Sequence, residues 1–135
     1  MKVLGVEFSS SQMNYVAIRS NGDAYEVITS NRMTLSGTRD RNALIAFQDA
    51  AKTLLNDVGP DLLAIKEKPE AGRMQAGAAS LKMEAILLAN APCAVDFVSG
   101  ARINQTDDEG LTLYAYLQPA LKAAVAALKR KVENS

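Results

Sequence analysis

The periodicity of the sequence changes near Asp40, and this change constrains the fold more than any other feature. Before it, three strand-like segments follow one another with short connections, over residues 2–9, 14–19 and 24–30. The tripeptide Asn21–Asp23 has the Asn-Gly pair that is typical of a tight hairpin turn. The first part of the chain is therefore predicted to form an antiparallel meander of three strands.

After Asp40, helical and strand-like segments alternate. The predicted elements are a helix over residues 40–57, a strand over 62–68, a helix over 74–90, a strand over 94–98 and a helical segment over 106–132. Pro119 either kinks the last helix or begins a separate terminal helix. Strands separated by helices are joined by right-handed parallel crossovers. The order βββαβαβα predicts one α/β domain over residues 1–135, with a five-stranded mixed sheet and helices on both faces.

Composition excludes several kinds of chemistry. The chain has no histidine and one cysteine, Cys93, so Ser-His-Asp sites, His-ligated zinc and an internal disulfide are excluded. Fifteen basic and fifteen acidic residues give zero net charge, unlike a dedicated nucleic-acid coat protein, although a local basic groove stays possible. No signal-peptide pattern or membrane-length apolar run occurs. We expect a soluble, cytoplasmic protein with a reduced thiol.

Two features of the predicted strands are unusual. Glu7 is an acid in an apolar strand, which is costly unless it is ionised beside a cation, hydrogen-bonded or near solvent. Lys66, Glu67 and Lys68 end the fourth strand, and sites gather at the carboxyl ends of such strands. Alternation puts Lys66 and Lys68 on one face and Glu67 on the other. An open sheet face and a solvated strand end would explain the same residues without a site.

A third feature is the acidic triplet Asp107–Glu109, at the predicted start of the last helix. Three carboxylates could coordinate a divalent cation, because hard cations prefer several oxygen ligands. Thr106 and Glu109 also have the spacing of a capping box, and acids near a helix N-terminus are stabilised by the helix dipole. Both interpretations are consistent with the sequence.

Together these motifs resemble the RuvC-type Holliday-junction resolvases and their YqgF-like relatives. Val3–Glu7 is similar to the family's first strand, which reads apolar-Gly-apolar-Asp. Pro60–Ile65 resembles the approach to the second catalytic strand, where an Ala-Ile pair precedes a catalytic Glu. Gln75–Lys82 resembles the family's helix of small residues. The resemblance implies a ribonuclease H-like fold, and it is closest to an uncharacterised bacterial branch described as a domain of unknown function.

The resemblance also implies an activity, which is two-metal hydrolysis of phosphodiesters in structured DNA or RNA with Mg²⁺ or Mn²⁺. The candidate catalytic and metal-ligating residues are then Glu7, Glu67, Asp107 and Asp108. The sequence departs from the family at Glu7, which replaces Asp, and at Lys66, which stands at the second catalytic position. A lysine there would neutralise Glu7 as a cation does and would repel a metal ion. The alternative function is therefore a catalytically degenerate binding or regulatory module.

Basic residues provide candidate contacts with nucleic acid. The candidate substrate-binding residues are Lys66, Lys68, Arg73 and Lys82, and Arg32, Arg39 and Arg41 could extend a basic rim around the acids. Scattered, solvated cations would explain the same residues. Met74, Met83 and the alanines of the second predicted helix could form a flat surface between two copies, and the related resolvases pair through that region. We expect a homodimer.

Overall fold

A five-stranded mixed sheet forms the centre of the molecule. The computed structural model describes residues 1–69, 71–72 and 76–134. The strands are β1 (Lys2–Ser9), β2 (Gln12–Asn21), β3 (Ala24–Thr34), β4 (Leu62–Lys66) and β5 (Ala94–Val98). They lie in the order β3-β2-β1-β4-β5, with β1–β2 and β2–β3 antiparallel and β1–β4 and β4–β5 parallel. The predicted meander and parallel crossovers are confirmed.

Helices cover both faces of this sheet. They are α1 (Arg41–Val58), α2 (Ala78–Ala89), α3 (Gly100–Asn104) and α4 (Gln118–Glu133), with a single 3₁₀ turn at Ala115–Leu117 before α4. Asp40 caps α1 because its carboxylate accepts the Asn42 N–H at 2.9 Å. Gly59 ends α1 in the left-handed conformation, with φ of 58°.

Alternation along β1 divides the core into two layers. Leu4, Val6 and Phe8 pack with α1 and α2 on one face, and Val3 packs with α3 and α4 on the other. Gly5 shares the face of Val3, and a Cβ atom there would lie 2.0 Å from the Ala120 carbonyl oxygen. The backbone of α4 therefore lies directly on β1.

The direction of α4 follows from its contacts. Ala120, in its first turn, lies against Gly5, whereas Lys131 and Asn134 lie beside Leu62 and Ala94 at the amino ends of β4 and β5. The helix thus runs from the carboxyl ends of the parallel strands back to their amino ends. Its N-terminal turn is left close to the carboxyl end of β1.

The predicted helix over residues 106–132 is wrong in its first part. α3 ends at Asn104, and the chain then loops until the 3₁₀ turn. Glu109 and Gly110 have φ of 58° and 75°, which no α-helix accommodates. Pro119 lies in the first turn of α4, where its missing N–H costs no hydrogen bond. The proline thus marks the start of a separate terminal helix, which was one of the two alternatives.

The predicted capping box is wrong for the same reason. The Thr106 hydroxyl donates back to the Arg102 carbonyl at 2.6 Å, so Thr106 follows a helix instead of preceding one. The Asp108 carboxylate accepts the Gly110 N–H at 3.0 Å inside the loop. Glu109 forms an ion pair with Lys129 of α4, which ties the loop to that helix.

Candidate functional site

Glu7 lies near the carboxyl end of β1, on the face covered by α4. Strand register places Asn14 of β2 directly opposite it, and the last residue of β4, Lys66, points to the same face. The Lys66 Nζ atom lies 3.3 Å from Glu7 Oε2. The Asn14 Nδ2 atom donates to Glu7 Oε1 at 3.4 Å. The sheet therefore holds each oxygen of the Glu7 carboxylate against a donor.

This pair explains how an acid is accommodated in an apolar strand. The Glu7 side chain is 13% exposed and the Lys66 side chain is 28% exposed. At this depth water screens the attraction between the two charges less than it would at an open surface. The ammonium neutralises the carboxylate, as the sequence suggests for a lysine at this position.

The other predicted acids do not join Glu7. Glu67 is exposed beyond the end of β4, where its backbone N–H donates to the Val98 carbonyl at 2.8 Å. Asp107 is exposed in the loop after α3, and Asp108 bonds within that loop. Within the described ranges, no three acidic, histidine or cysteine side chains lie close enough together to hold a metal ion.

A divalent-metal centre of the kind implied by the resemblance does not fit these residues. Mg²⁺ and Mn²⁺ are held by several carboxylate oxygens, whose negative charge offsets the cost of removing water from the ion. Here the Glu7 carboxylate already has the Lys66 ammonium as its counterion, and the pair has no net charge to attract a cation. A metal ion in contact with Glu7 would also be repelled by Lys66.

The predicted basic residues fall into two separate places. Lys66 and Lys68 line a pocket of about 310 Å³ at the carboxyl end of β4, together with Glu67 and with Ser80 of α2. Lys82 instead lines a groove of about 770 Å³ between α1 and α2, together with Arg39 and Arg41. Its Nζ atom donates to the Thr38 carbonyl at 2.5 Å. Arg73 lies outside the described residues.

The methionines suggested for a surface between copies do not support that role. Met83 belongs to α2 and is fully buried in the core layer that also contains Phe47 of α1. Met74 lies outside the described residues. The homodimer stays a prediction.

A group of two tyrosines and one arginine on this side of the sheet was not predicted from the sequence. The rings of Tyr114 and Tyr116 are stacked, with centroids 6.0 Å apart and planes 12° apart. The Arg32 guanidinium carbon lies 3.8 Å from the Tyr116 ring centroid. Two tyrosines two residues apart, in a chain with only 5% aromatic residues, were a usable signal. Arg32 belongs to β3, and its contact with Tyr116 has no local signature.

Comparison with solved structures identifies the class of fold. RuvC of Thermus thermophilus superposes with a TM-score of 0.80 at 12% identity, covering 98% of this chain and 97% of that one. The same protein in complex with a Holliday junction substrate gives 0.74 at 14% identity, with coverage of 98% and 96%. A fowlpox virus resolvase in complex with Holliday junction DNA gives 0.60 at 9% identity, with coverage of 98% and 99%. The protein has the RuvC-like, ribonuclease H-like fold, as predicted.

The family model described as "Protein of unknown function (DUF3010)" matches residues 1–127, so the chain belongs to that family. No curated protein sequence matches the chain. Among the described residues, no helix is long and apolar enough to cross a membrane. The cytoplasmic location and the relation to a bacterial branch of the resolvases stay predictions.

Proposed function

We propose that this protein is a RuvC-like module that binds structured nucleic acid without metal-dependent hydrolysis. The observation that carries the proposal is the 3.3 Å contact between Lys66 Nζ and Glu7 Oε2. It puts a fixed positive charge where two-metal hydrolysis would need a cation bound by carboxylates. The nuclease function that the resemblance implies would require that lysine to move away.

Binding of nucleic acid is supported by the fold and by the position of the cations. Two of the similar structures contain Holliday junction DNA. In this chain Lys68 lines the pocket at the carboxyl end of β4 beside the neutral Glu7–Lys66 pair, where its charge can attract a phosphate group. Because the protein has zero net charge and Glu67 lines the same pocket, binding is expected to be weak, with a modest dependence on salt.

The test combines a binding measurement with a cleavage measurement. Fluorescence anisotropy with a labelled four-way DNA junction in EDTA should show binding by the native protein, and Lys68→Met should weaken it by about threefold to tenfold. Lys131→Met is the matched control. It removes a charge in the last turn of α4, beside the amino ends of β4 and β5, and should bind like the native protein. Incubation of the junction with Mg²⁺ or Mn²⁺ should leave the DNA intact.

Two results would contradict the proposal. Metal-dependent cleavage that is lost in Glu7→Gln would restore the nuclease function, with Glu7 as a ligand. An equal affinity for the junction and for a neutral polymer control would mean that the module recognises something other than nucleic acid.

A further inference from the structure

An aromatic stack is anchored at Arg32, two strands away from Glu7, and has no role in the function proposed above. Tyr114 is 77% exposed, and one face of its ring meets Tyr116. Tyr116 is half-buried and also contacts the guanidinium group of Arg32. We refer to Tyr114, Tyr116 and Arg32 as the tyrosine stack.

The tyrosine stack is held in place by its neighbours. Arg32 Nη1 donates to Gln12 Oε1 at 3.0 Å, which fixes the guanidinium group above the ring. The Leu117 N–H donates to the Tyr114 carbonyl at 2.9 Å, and the Leu117 side chain is buried in the core under α4. The exposed ring is therefore attached to an ordered support, so a ligand would lose little entropy in ordering it.

Strand register puts the tyrosine stack on the same sheet face as the candidate site, two strands away from Glu7. Arg32 of β3 lies opposite Asn14 of β2, and Asn14 in turn lies opposite Glu7 of β1. All three side chains belong to the sheet face that α4 covers. A molecule bound at Lys66 would therefore meet the tyrosine stack as it passes across β2 and β3.

A single exposed tyrosine usually needs no explanation. Here the nearly parallel ring of Tyr116 supports the Tyr114 ring from behind, and the guanidinium group of Arg32 lies against the Tyr116 ring. Aromatic planes flanked by cations bind unpaired nucleic-acid bases, because every base has a π-face and each is followed by a phosphate. Paired bases inside a duplex stack on each other and do not offer that face.

We propose that Tyr114 stacks on an unpaired base, and that Arg32 attracts the phosphate next to it. This inference rests on the proposed function, and it names the class of ligand, which is nucleic acid with single-stranded or unpaired bases. Since stacking does not distinguish bases strongly, the site is sequence-independent.

The test uses a labelled oligothymidylate of about 15 nucleotides, the length of a typical single-strand site. Tyr114→Ala should weaken its binding about tenfold, whereas Tyr114→Phe, which keeps the ring, should bind like the native protein. Binding to a fully paired, blunt-ended duplex should be equal for all three proteins. A strand carrying the fluorescent base 2-aminopurine should be quenched by the native protein and by Tyr114→Phe only. The variants should fold, because the Tyr114 side chain is mostly exposed.

The outcomes separate this inference from the proposed function. If the native protein binds the junction and Tyr114→Ala binds every ligand as tightly as the native protein does, the stacking site is wrong and the nucleic-acid function stands. If the native protein binds neither junction nor single strand, the proposed function itself is wrong. An equal loss of duplex and single-strand affinity in Tyr114→Ala would also overturn the inference, because it would show no preference for unpaired bases.

Discussion

At the scale of single residues, the contact between Glu7 and Lys66 decides what the site can hold. A carboxylate in β1 needs a positive partner, and here the chain supplies that partner from β4. The amide of Asn14 leaves its own oxygen, Oδ1, buried and without a hydrogen-bond partner among the described residues. If an acid replaced Lys66, the two carboxylates and Asn14 Oδ1 would therefore offer oxygen atoms to a cation.

Lys66→Glu is expected to create a cation site. The change replaces the ammonium by a second carboxylate beside Glu7, so that two acids and Asn14 face one another. Calorimetric titration with Mn²⁺ should show binding at least about tenfold tighter than in the native protein. Lys131→Glu makes the same change of charge at the far end of α4 and should leave Mn²⁺ binding as it is in the native protein. Native binding of Mn²⁺ that disappears in Glu7→Ala would contradict the explanation.

Cys93 is expected to react slowly with thiol reagents. Burial, and to a lesser extent the negative charge of Asp61, raises the pKa of the Cys93 thiol. A raised pKa leaves less thiolate at any pH below it, and the thiolate is the nucleophile. Alkylation by iodoacetamide at about pH 8 should thus be slower than that of a free cysteine derivative. As the pH is raised, the alkylation rate of Cys93 should still increase where that of the free thiol has levelled off. A rate equal to that of the free thiol at about pH 8 would disprove the expectation.

At the scale of secondary-structure elements, the packing of α4 on β1 positions the site. The N-terminal turn of α4 lies close to the carboxyl end of β1 only because Gly5 lets the two backbones meet at Ala120. The ion pair between Glu109 and Lys129 then holds the preceding loop, which leads to Tyr114 and Tyr116, against the same helix.

Gly5→Ala is expected to destabilise the protein by about 1–3 kcal/mol, because the new methyl group would overlap the Ala120 carbonyl and Ala124. Gly100→Ala is the matched control, since a Cβ atom at that position meets nothing within 4 Å. Urea denaturation should show the loss for the first variant and a change below about 0.5 kcal/mol for the second. Equal stability of the two variants would mean that α4 can shift away from β1.

Much of the element order could be predicted because it depends on local pattern. The turn at Asn21–Asp23 and the change to helical spacing after Asp40 are visible in short windows, and both were interpreted correctly. The loop between α3 and α4 was predicted as helix because acids after a threonine also fit a helix start. Its real geometry depends on the ion pair between Glu109 and Lys129, which are 20 residues apart.

The candidate site also has one part that the sequence predicts and one part that it does not. Strand alternation and the parallel pairing of β1 with β4 are enough to bring Glu7 and Lys66 to one edge, and the sequence suggested this neutralised pair as one alternative. The contact of Asn14 with Glu7 depends on the register of β1 with β2, and the contact of Arg32 with Tyr116 depends on the register of β2 with β3. That register includes a shift between Ala17 and Ile18, which periodicity alone does not reveal.

At the scale of the whole molecule, zero net charge hides an uneven distribution. Lys66 and Lys68 lie at the carboxyl end of β4 beside Ser80 of α2, and Arg39, Arg41 and Lys82 line the groove between α1 and α2. The two sets of cations are therefore separated along α2, which contributes Ser80 to the first place and Lys82 to the second.

The protein is expected to form a homodimer, as the resemblance to the resolvases implies. Light scattering on a size-exclusion column should give twice the 14.4 kDa mass of one chain at micromolar concentration. Ile45, which is among the exposed large apolar residues, lines the groove between α1 and α2 and is the first position to test. Ile45→Lys should lower the mass to that of one chain if the groove is the interface, whereas Val132→Lys should not. A native mass of 14.4 kDa at all concentrations would refute the prediction.

The course of α4 has a practical consequence for handling the molecule. The helix ends beside the amino ends of β4 and β5, and the chain enters the sheet at Lys2, which lies at that same end because β1 is parallel to β4. An affinity tag, a fluorophore or a surface tether joined at either extremity would consequently project away from Glu7 and Tyr114. The protein can be immobilised by its first or last residues with the side that carries Glu7 and Tyr114 open to solution.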